Sequence, residues 1–362
     1  MKKFLFTFFV LLLTLIVITG CRPPEIESAA VELNAQRYDT ALQYALEATQ
    51  KYPDNAEAWY YLGSSYGKKD QYTDMVKAFE KSLSINSNFA KQIEQERMIY
   101  FQKSYNAGVG KYNLFVNEQD RSSAKAKELL KEAIDKFESA NLLKNDYSAV
   151  SLSALCYSML EDSVNALKNY QLLTEMKPDT AAAWIALGQY NFNLKDYETS
   201  AQNLEKALEI EPENKDAISL LAQVYDFLGN KEKALTLYTK AIELDPAEKA
   251  YPFNLGLLYF KMATKEGVEE SLRDEYLQKC SDNFARVINL DPEIKEPYDI
   301  RSNVLIQLKQ FDEALVVLKQ ALDYFPEEYA FWFNTGVVYN RLNRNDEAKK
   351  AFDKAEQIQK SN

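Results

Sequence analysis

Histidine is absent from all 362 residues of the chain. That absence excludes Ser-His-Asp and Cys-His catalytic arrangements and any zinc site with an imidazole ligand. Glycine and proline number only ten each, well below average usage of roughly 7% and 5%. So little glycine is a poor basis for the phosphate-cradling turns of a doubly wound α/β enzyme. Positive charge is also short: 43 Lys and Arg face 54 Asp and Glu, for a net charge of −11 and a pI near 4.9. Nucleic acid, whose affinity comes from clustered Lys and Arg, is excluded as a partner. What the chain does have is 46% hydrophobic residues, enough to bury a core and to exclude disorder.

The N-terminus reads as an address. Lys2 and Lys3 precede an apolar run from Phe4 to Ile18, interrupted only by Thr7 and Thr14. The run is short of the roughly 20 residues a membrane span needs, and it suits an export signal over residues 1–20. It ends Ile18-Thr19-Gly20-Cys21, which resembles the lipobox of bacterial lipoproteins. The resemblance implies cleavage before Cys21, lipid attachment at Cys21 and more than one acyl chain, since a single chain gives only marginal membrane binding. An uncleaved signal anchor is the competing reading. Cys156 and Cys280 both fall at interior positions of the repeat described next, and they read as small buried apolar residues and not as a disulfide.

A ruler of 34 residues orders the rest. Pro178, Pro212 and Pro246 stand 34 apart, as do Pro292 and Pro326. The interval from Pro246 to Pro292 carries 12 extra residues, and so does that from Trp184 to Trp332, once four periods are removed. Pro53 to Pro178 and Trp59 to Trp184 are both 125, three periods plus 23. All three tryptophans therefore share one repeat position.

Within each period the landmarks are Trp59, Leu62, Gly63, Tyr66 and Phe79; Trp184, Leu187, Gly188, Leu204, Ala207 and Pro212; Leu221, Ala222, Tyr225, Ala234, Tyr238, Ala241 and Pro246; and Trp332, Gly336, Tyr339, Ala348, Phe352 and Ala355. This pattern resembles the tetratricopeptide repeat (TPR) family. The fold it implies is all-α: a right-handed α-solenoid of about nine helix hairpins. The units lie near 22–55, 56–89, 90–146, 147–180, 181–214, 215–248, 249–294, 295–328 and 329–362. Residues 21–27 are expected to be a linker and 28–362 the solenoid. Gly63, Gly108, Gly188, Gly256 and Gly336 hold the eighth position, where a small residue lets the two helices approach. The insertions in the third and seventh units read as lengthened helices, because Ala126, Leu130 and Ala133, and Leu272, Tyr276, Cys280, Phe284 and Ile288, extend the apolar stripe of each second helix. Gly267 is expected to turn between the helices of the seventh.

In such a stack the second, fifth, sixth and ninth positions of the first helix face a concave surface. At the fifth and sixth these are Tyr60 and Tyr61, Ile185 and Ala186, Ser219 and Leu220, Phe253 and Asn254, Asp299 and Ile300, and Phe333 and Asn334. The Lys and Asn pair with which some family members clamp a C-terminal carboxylate is missing; the eighth unit offers Asp299 and Asn303 instead. The candidate peptide groove is therefore aromatic, amide-bearing and acidic: Tyr60, Tyr61, Asn106, Phe253, Asn254, Asn303, Phe333 and Asn334, with Phe192, Phe227 and Phe260 near it and Asp216, Asp226, Glu296 and Asp299 beside it. An amide can hold an extended backbone through its donor and acceptor together. The alternative is that these aromatics pack between neighbouring hairpins. The resemblance implies a scaffold of the cell envelope, anchored to membrane through Cys21, holding other envelope proteins by extended segments, with no catalytic residue, cofactor or metal. Arg22, where many inner-membrane lipoproteins carry aspartate, favours an outer membrane facing the periplasm in a cell with two. The competing class is a carbohydrate-active or cell-wall enzyme built on a carboxylate pair.

Overall fold

The computed structural model describes residues 22–361, and every regular element among them is an α-helix. Cys21 and the export segment lie outside the described residues. The chain divides into two compact units, Met1–Met176 and Lys177–Asn362. The first holds α1 (Pro24–Asn34), α2 (Tyr38–Lys51), α3 (Ala56–Lys68), α4 (Tyr72–Ile85), α5 (Ala90–Val116), α6 (Ala124–Lys144), α7 (Tyr147–Met159) and α8 (Ser163–Met176). The second holds α9 (Ala181–Asn193), α10 (Tyr197–Ile210), α11 (Lys215–Phe227), α12 (Lys231–Leu244), α13 (Ala250–Ala263) and α14 (Glu270–Leu290). It continues with α15 (Lys295–Gln307), α16 (Phe311–Tyr324), α17 (Tyr329–Arg341) and α18 (Asn345–Ser361). Odd and even helices pair as hairpins, four in the first unit and five in the second.

Local chemistry sets the ends. The Asn55 Oδ1 accepts the N–H groups of Glu57 and Ala58, Asp146 that of Ala149, and Asn214 that of Ala217, so these odd helices start on side-chain caps. Within eight hairpins the turn uses one residue in the left-handed region, thirty-four apart wherever repeats are regular: Gln36, Asp70, Glu161, Lys195, Gly229, Gly267, Lys309 and Asn343. Only two are glycine, so in the other six the turn is imposed by the packing of its helices on residues that resist it.

Between hairpins the ruler's landmarks meet. Trp59, Trp184 and Trp332 each donate the indole N–H to the carbonyl of a proline six residues earlier, Pro53, Pro178 and Pro326, at 2.8, 2.9 and 2.7 Å. At two of the turns without a tryptophan a cation takes its place: Lys240 reaches the Pro212 carbonyl at 2.8 Å and Arg286 the Pro246 carbonyl at 3.3 Å. The eighth-position glycines face a large apolar residue of the partner helix. A methyl group at Gly108 would sit 2.7 Å from the Phe137 ring, and one at Gly336 2.7 Å from Phe352. Those distances are shorter than carbon atoms tolerate, so the absent Cβ is what lets the helices close.

Three details differ from, or add to, the sequence reading. Helix α1 opens at Pro24, inside the stretch over residues 21–27 expected as a linker; proline fits a first helical turn, whose N–H groups have no helical partner anyway. The extra length of the third hairpin lies more in α5, 27 residues, than in α6, 21 residues, since Ile93, Tyr100 and Phe101 of α5 are buried against Tyr72 and Leu143. In the seventh, α14 takes 21 residues and Gly267 turns with φ +81°. Cys156 and Cys280 are free and fully buried, and burial pushes each thiol up to about 12.

Candidate functional site

A cleft of about 740 Å³ opens in the second unit, across the first helices of its first three hairpins. Its floor is Ala182, Ile185 and Ala186 of α9 with Ser219 and Leu220 of α11, and Tyr251 of α13 closes one side. Gln189 and Gln223 stand at the same repeat position on one edge; Asp216 and Glu248 mark the opposite edge, at the N-terminal ends of α11 and α13. Ala182, Ile185, Ala186 and Gln189, and then Asp216, Ser219, Leu220 and Gln223, are the second, fifth, sixth and ninth residues of two consecutive repeats. The cleft exists because the ruler places alanine and serine where other repeats carry rings.

The electrostatics of the cleft are one-sided. The lysines next in sequence are engaged elsewhere: Lys215 pairs with Asp245 at 2.7 Å, and Lys249 pairs with Asp291. Asp216 has no ion pair among the described residues. Glu248 accepts the N–H of Ala250 at 2.9 Å. No Lys or Arg lines the cleft.

The residues expected from the sequence to form a groove fall elsewhere and in several places. Tyr60, Tyr61 and Asn106 belong to the first unit. The Tyr60 ring stacks on Phe89 at 4.7 Å, and its hydroxyl donates to Glu96 at 2.8 Å; burial and the Glu96 charge hold its proton more tightly than usual. Tyr61 accepts a hydrogen bond from Arg22 at 3.0 Å and lies under its guanidinium. Asn106 is exposed. In the second unit Phe253 packs edge-on against Phe284 at 5.5 Å, and Phe333 stacks on Tyr329 and meets Phe352. Asn254 is half-buried beside Phe253.

Two of the asparagines do come together. Asn334 donates to the Oδ1 of Asn303 at 3.2 Å, and Asn303 donates to Asp299 at 3.1 Å. Part of their hydrogen-bonding capacity is thus spent on one another, and the ladder fixes α15 against α17. Asp226 is likewise committed, held between Lys231 of α12 and Lys261 of α13. Phe227 is 57% exposed, stacked on Tyr197 at 4.8 Å. Most of the aromatics therefore serve packing between helices. Among the described residues no group of three Asp, Glu or Cys is placed to hold a metal ion, and no helix is long and apolar enough to cross a membrane.

Helix hairpins on a 34-residue period, with a small residue of the first helix closing onto a ring of the second, define the class. The chain belongs to the tetratricopeptide repeat family: one tetratricopeptide repeat model matches residues 28–87, 160–215 and 301–362, and a second matches 192–255. Together they span more than half of the chain. Among solved structures it is similar to MamA, 20% identical over 51% of this chain and 93% of that one, with a TM-score of 0.42. It is also similar to YrrB, described as a TPR protein with an unusual peptide-binding site, at 19% identity over 52% and 92% with a TM-score of 0.43. A MamA fragment from Desulfovibrio magneticus RS-1 is 16% identical over 50% and 96%, with a TM-score of 0.39. No curated protein matches the sequence.

Proposed function

We propose that this chain is a lipid-anchored interaction scaffold of the bacterial cell envelope, which holds an extended segment of a partner protein in the cleft of its second unit. The observation that carries the reading is the lining of that cleft. Four set positions of two successive repeats line it, and the small side chains Ala182, Ala186 and Ser219 among them leave about 740 Å³ beside two in-register glutamines. A peptide strand needs a shallow apolar floor for its side chains and amides for its backbone, and both are present. The acidic balance directs the partner away from nucleic acid. The function is binding and not catalysis, as the missing histidine suggests.

The anchor rests on the sequence Ile18-Thr19-Gly20-Cys21. Residues 21–23, at ~3.1 Å each, allow about 10 Å between lipid and first helix. Arg22, which follows the acylated position, supports the outer membrane in a cell with two.

Two measurements test the two halves of this proposal. A Cys21→Ser chain loses incorporation of an alkyne-tagged fatty acid and leaves the membrane fraction; retention of both contradicts the anchor. In intact cells, cross-linking followed by purification through a C-terminal tag recovers a defined set of envelope proteins. Ala186→Phe with Ser219→Phe fills the cleft and removes members of that set, whereas an unchanged set contradicts the cleft.

A further inference from the structure

We propose that the cleft of the second unit selects an extended peptide carrying a lysine or arginine, whose cationic head reaches the carboxylates of Asp216 and Glu248. This deepens the reading of the cleft as a peptide site and rests on it.

The argument starts from charge. Two carboxylates and no ammonium or guanidinium group line the cleft. The cations that neutralise such carboxylates elsewhere in this chain are spoken for: Lys215 turns to Asp245, Lys249 to Asp291, and Lys240 to the Pro212 carbonyl. The turn leading into α11 adds exposed Glu211 and Glu213 at the same end. Against them stand the N-termini of α11 and α13, each worth about half a positive charge. Two full negative charges outweigh two halves, so this edge stays negative.

Shape supports the same occupant. The Ala182, Ile185, Ala186 and Leu220 floor is apolar and shallow, suited to small side chains and to the aliphatic stem of lysine or arginine, which covers apolar surface while its head stays at the wet edge. Gln189 and Gln223, on the opposite edge, carry no charge to discriminate. An acidic segment or a free C-terminal carboxylate meets repulsion here, the reverse of what the lysine-lined clamps of this repeat family accept.

The test uses the chain from residue 22 onward and three mixtures of capped, fluorescein-labelled hexapeptides. Each mixture is fixed at one central position as lysine, norleucine or glutamate, with alanine, serine and valine elsewhere. By fluorescence anisotropy the lysine mixture binds about three- to tenfold more tightly than norleucine, as expected for two partly exposed charge pairs, and glutamate binds most weakly. Asp216→Asn with Glu248→Gln, which preserve shape, abolish the lysine preference, as does raising the salt to screen the pairs. Helix content by circular dichroism stays unchanged in that variant. Equal binding of lysine and norleucine, lost from both in Ala186→Phe, overturns the charge selection and leaves the peptide site standing. A lysine preference that survives the double replacement overturns the assignment to these two carboxylates. No binding of any mixture at millimolar peptide overturns both the selection and the peptide site.

Discussion

At Gly63 the missing methyl group decides how close two helices come. A Cβ there would fall within the Phe79 ring, which is itself fully buried and has nowhere to move. Gly110, on the long helix α5 of the same unit, has nothing within 4 Å of where a Cβ would be. One substitution therefore has opposite consequences at the two sites. Gly63→Ala overpacks the hairpin and costs about 1–3 kcal/mol, whereas Gly110→Ala removes unfolded-chain freedom and adds about 0.5–1 kcal/mol. Urea melts followed by circular dichroism measure both, and a gain at Gly63 or a loss at Gly110 contradicts the account.

Helices α11, α12 and α13 share a single carboxylate. Burial pushes the Asp226 carboxyl up, but Lys231 and Lys261 together hold it below its ordinary value. A carboxyl whose folded pKa lies below its unfolded one stabilises the fold above the unfolded value, about 3.9. That contribution is lost as acid carries the pH down through the folded value. Asp226→Asn thus lowers stability at pH 7 by about 1 kcal/mol, because the lysines can turn to water, and the deficit relative to the native chain shrinks by pH 3. Thermal melts at the two pH values check this; an equal deficit at both removes Asp226 as the cause. The elements themselves were legible from the 34-residue spacing, because proline, glycine and tryptophan each mark a fixed place in a hairpin. The early part of α5 was not, since residues 90–100 carry none of those landmarks. The cleft was half legible. The rule that four positions face one surface held for its lining, but the residues singled out from the sequence were rings and asparagines. A cleft forms where volume is missing, and alanine and serine give no signal of their own.

Each of the two compact units carries its own cores. Residues up to 176 bury Phe79 with Ile93, and Phe137 with Cys156; residues from 177 bury Leu221 with Tyr238, Cys280 with Phe284, and Tyr298 with Leu318. In a repeat protein stability comes from each repeat and its neighbours. A fragment of residues 177–361 is therefore expected to fold alone, with a helical spectrum and a cooperative melt, while a featureless one shows that it depends on the preceding hairpins. The indole staples have an optical consequence. All three tryptophans are bound at proline turns, so tryptophan emission, excited beyond the absorption of the 24 tyrosines, reports on those turns. Ellipticity reports on helices. An intermediate with open turns and intact helices would announce itself as a shift in colour before any loss of helical signal.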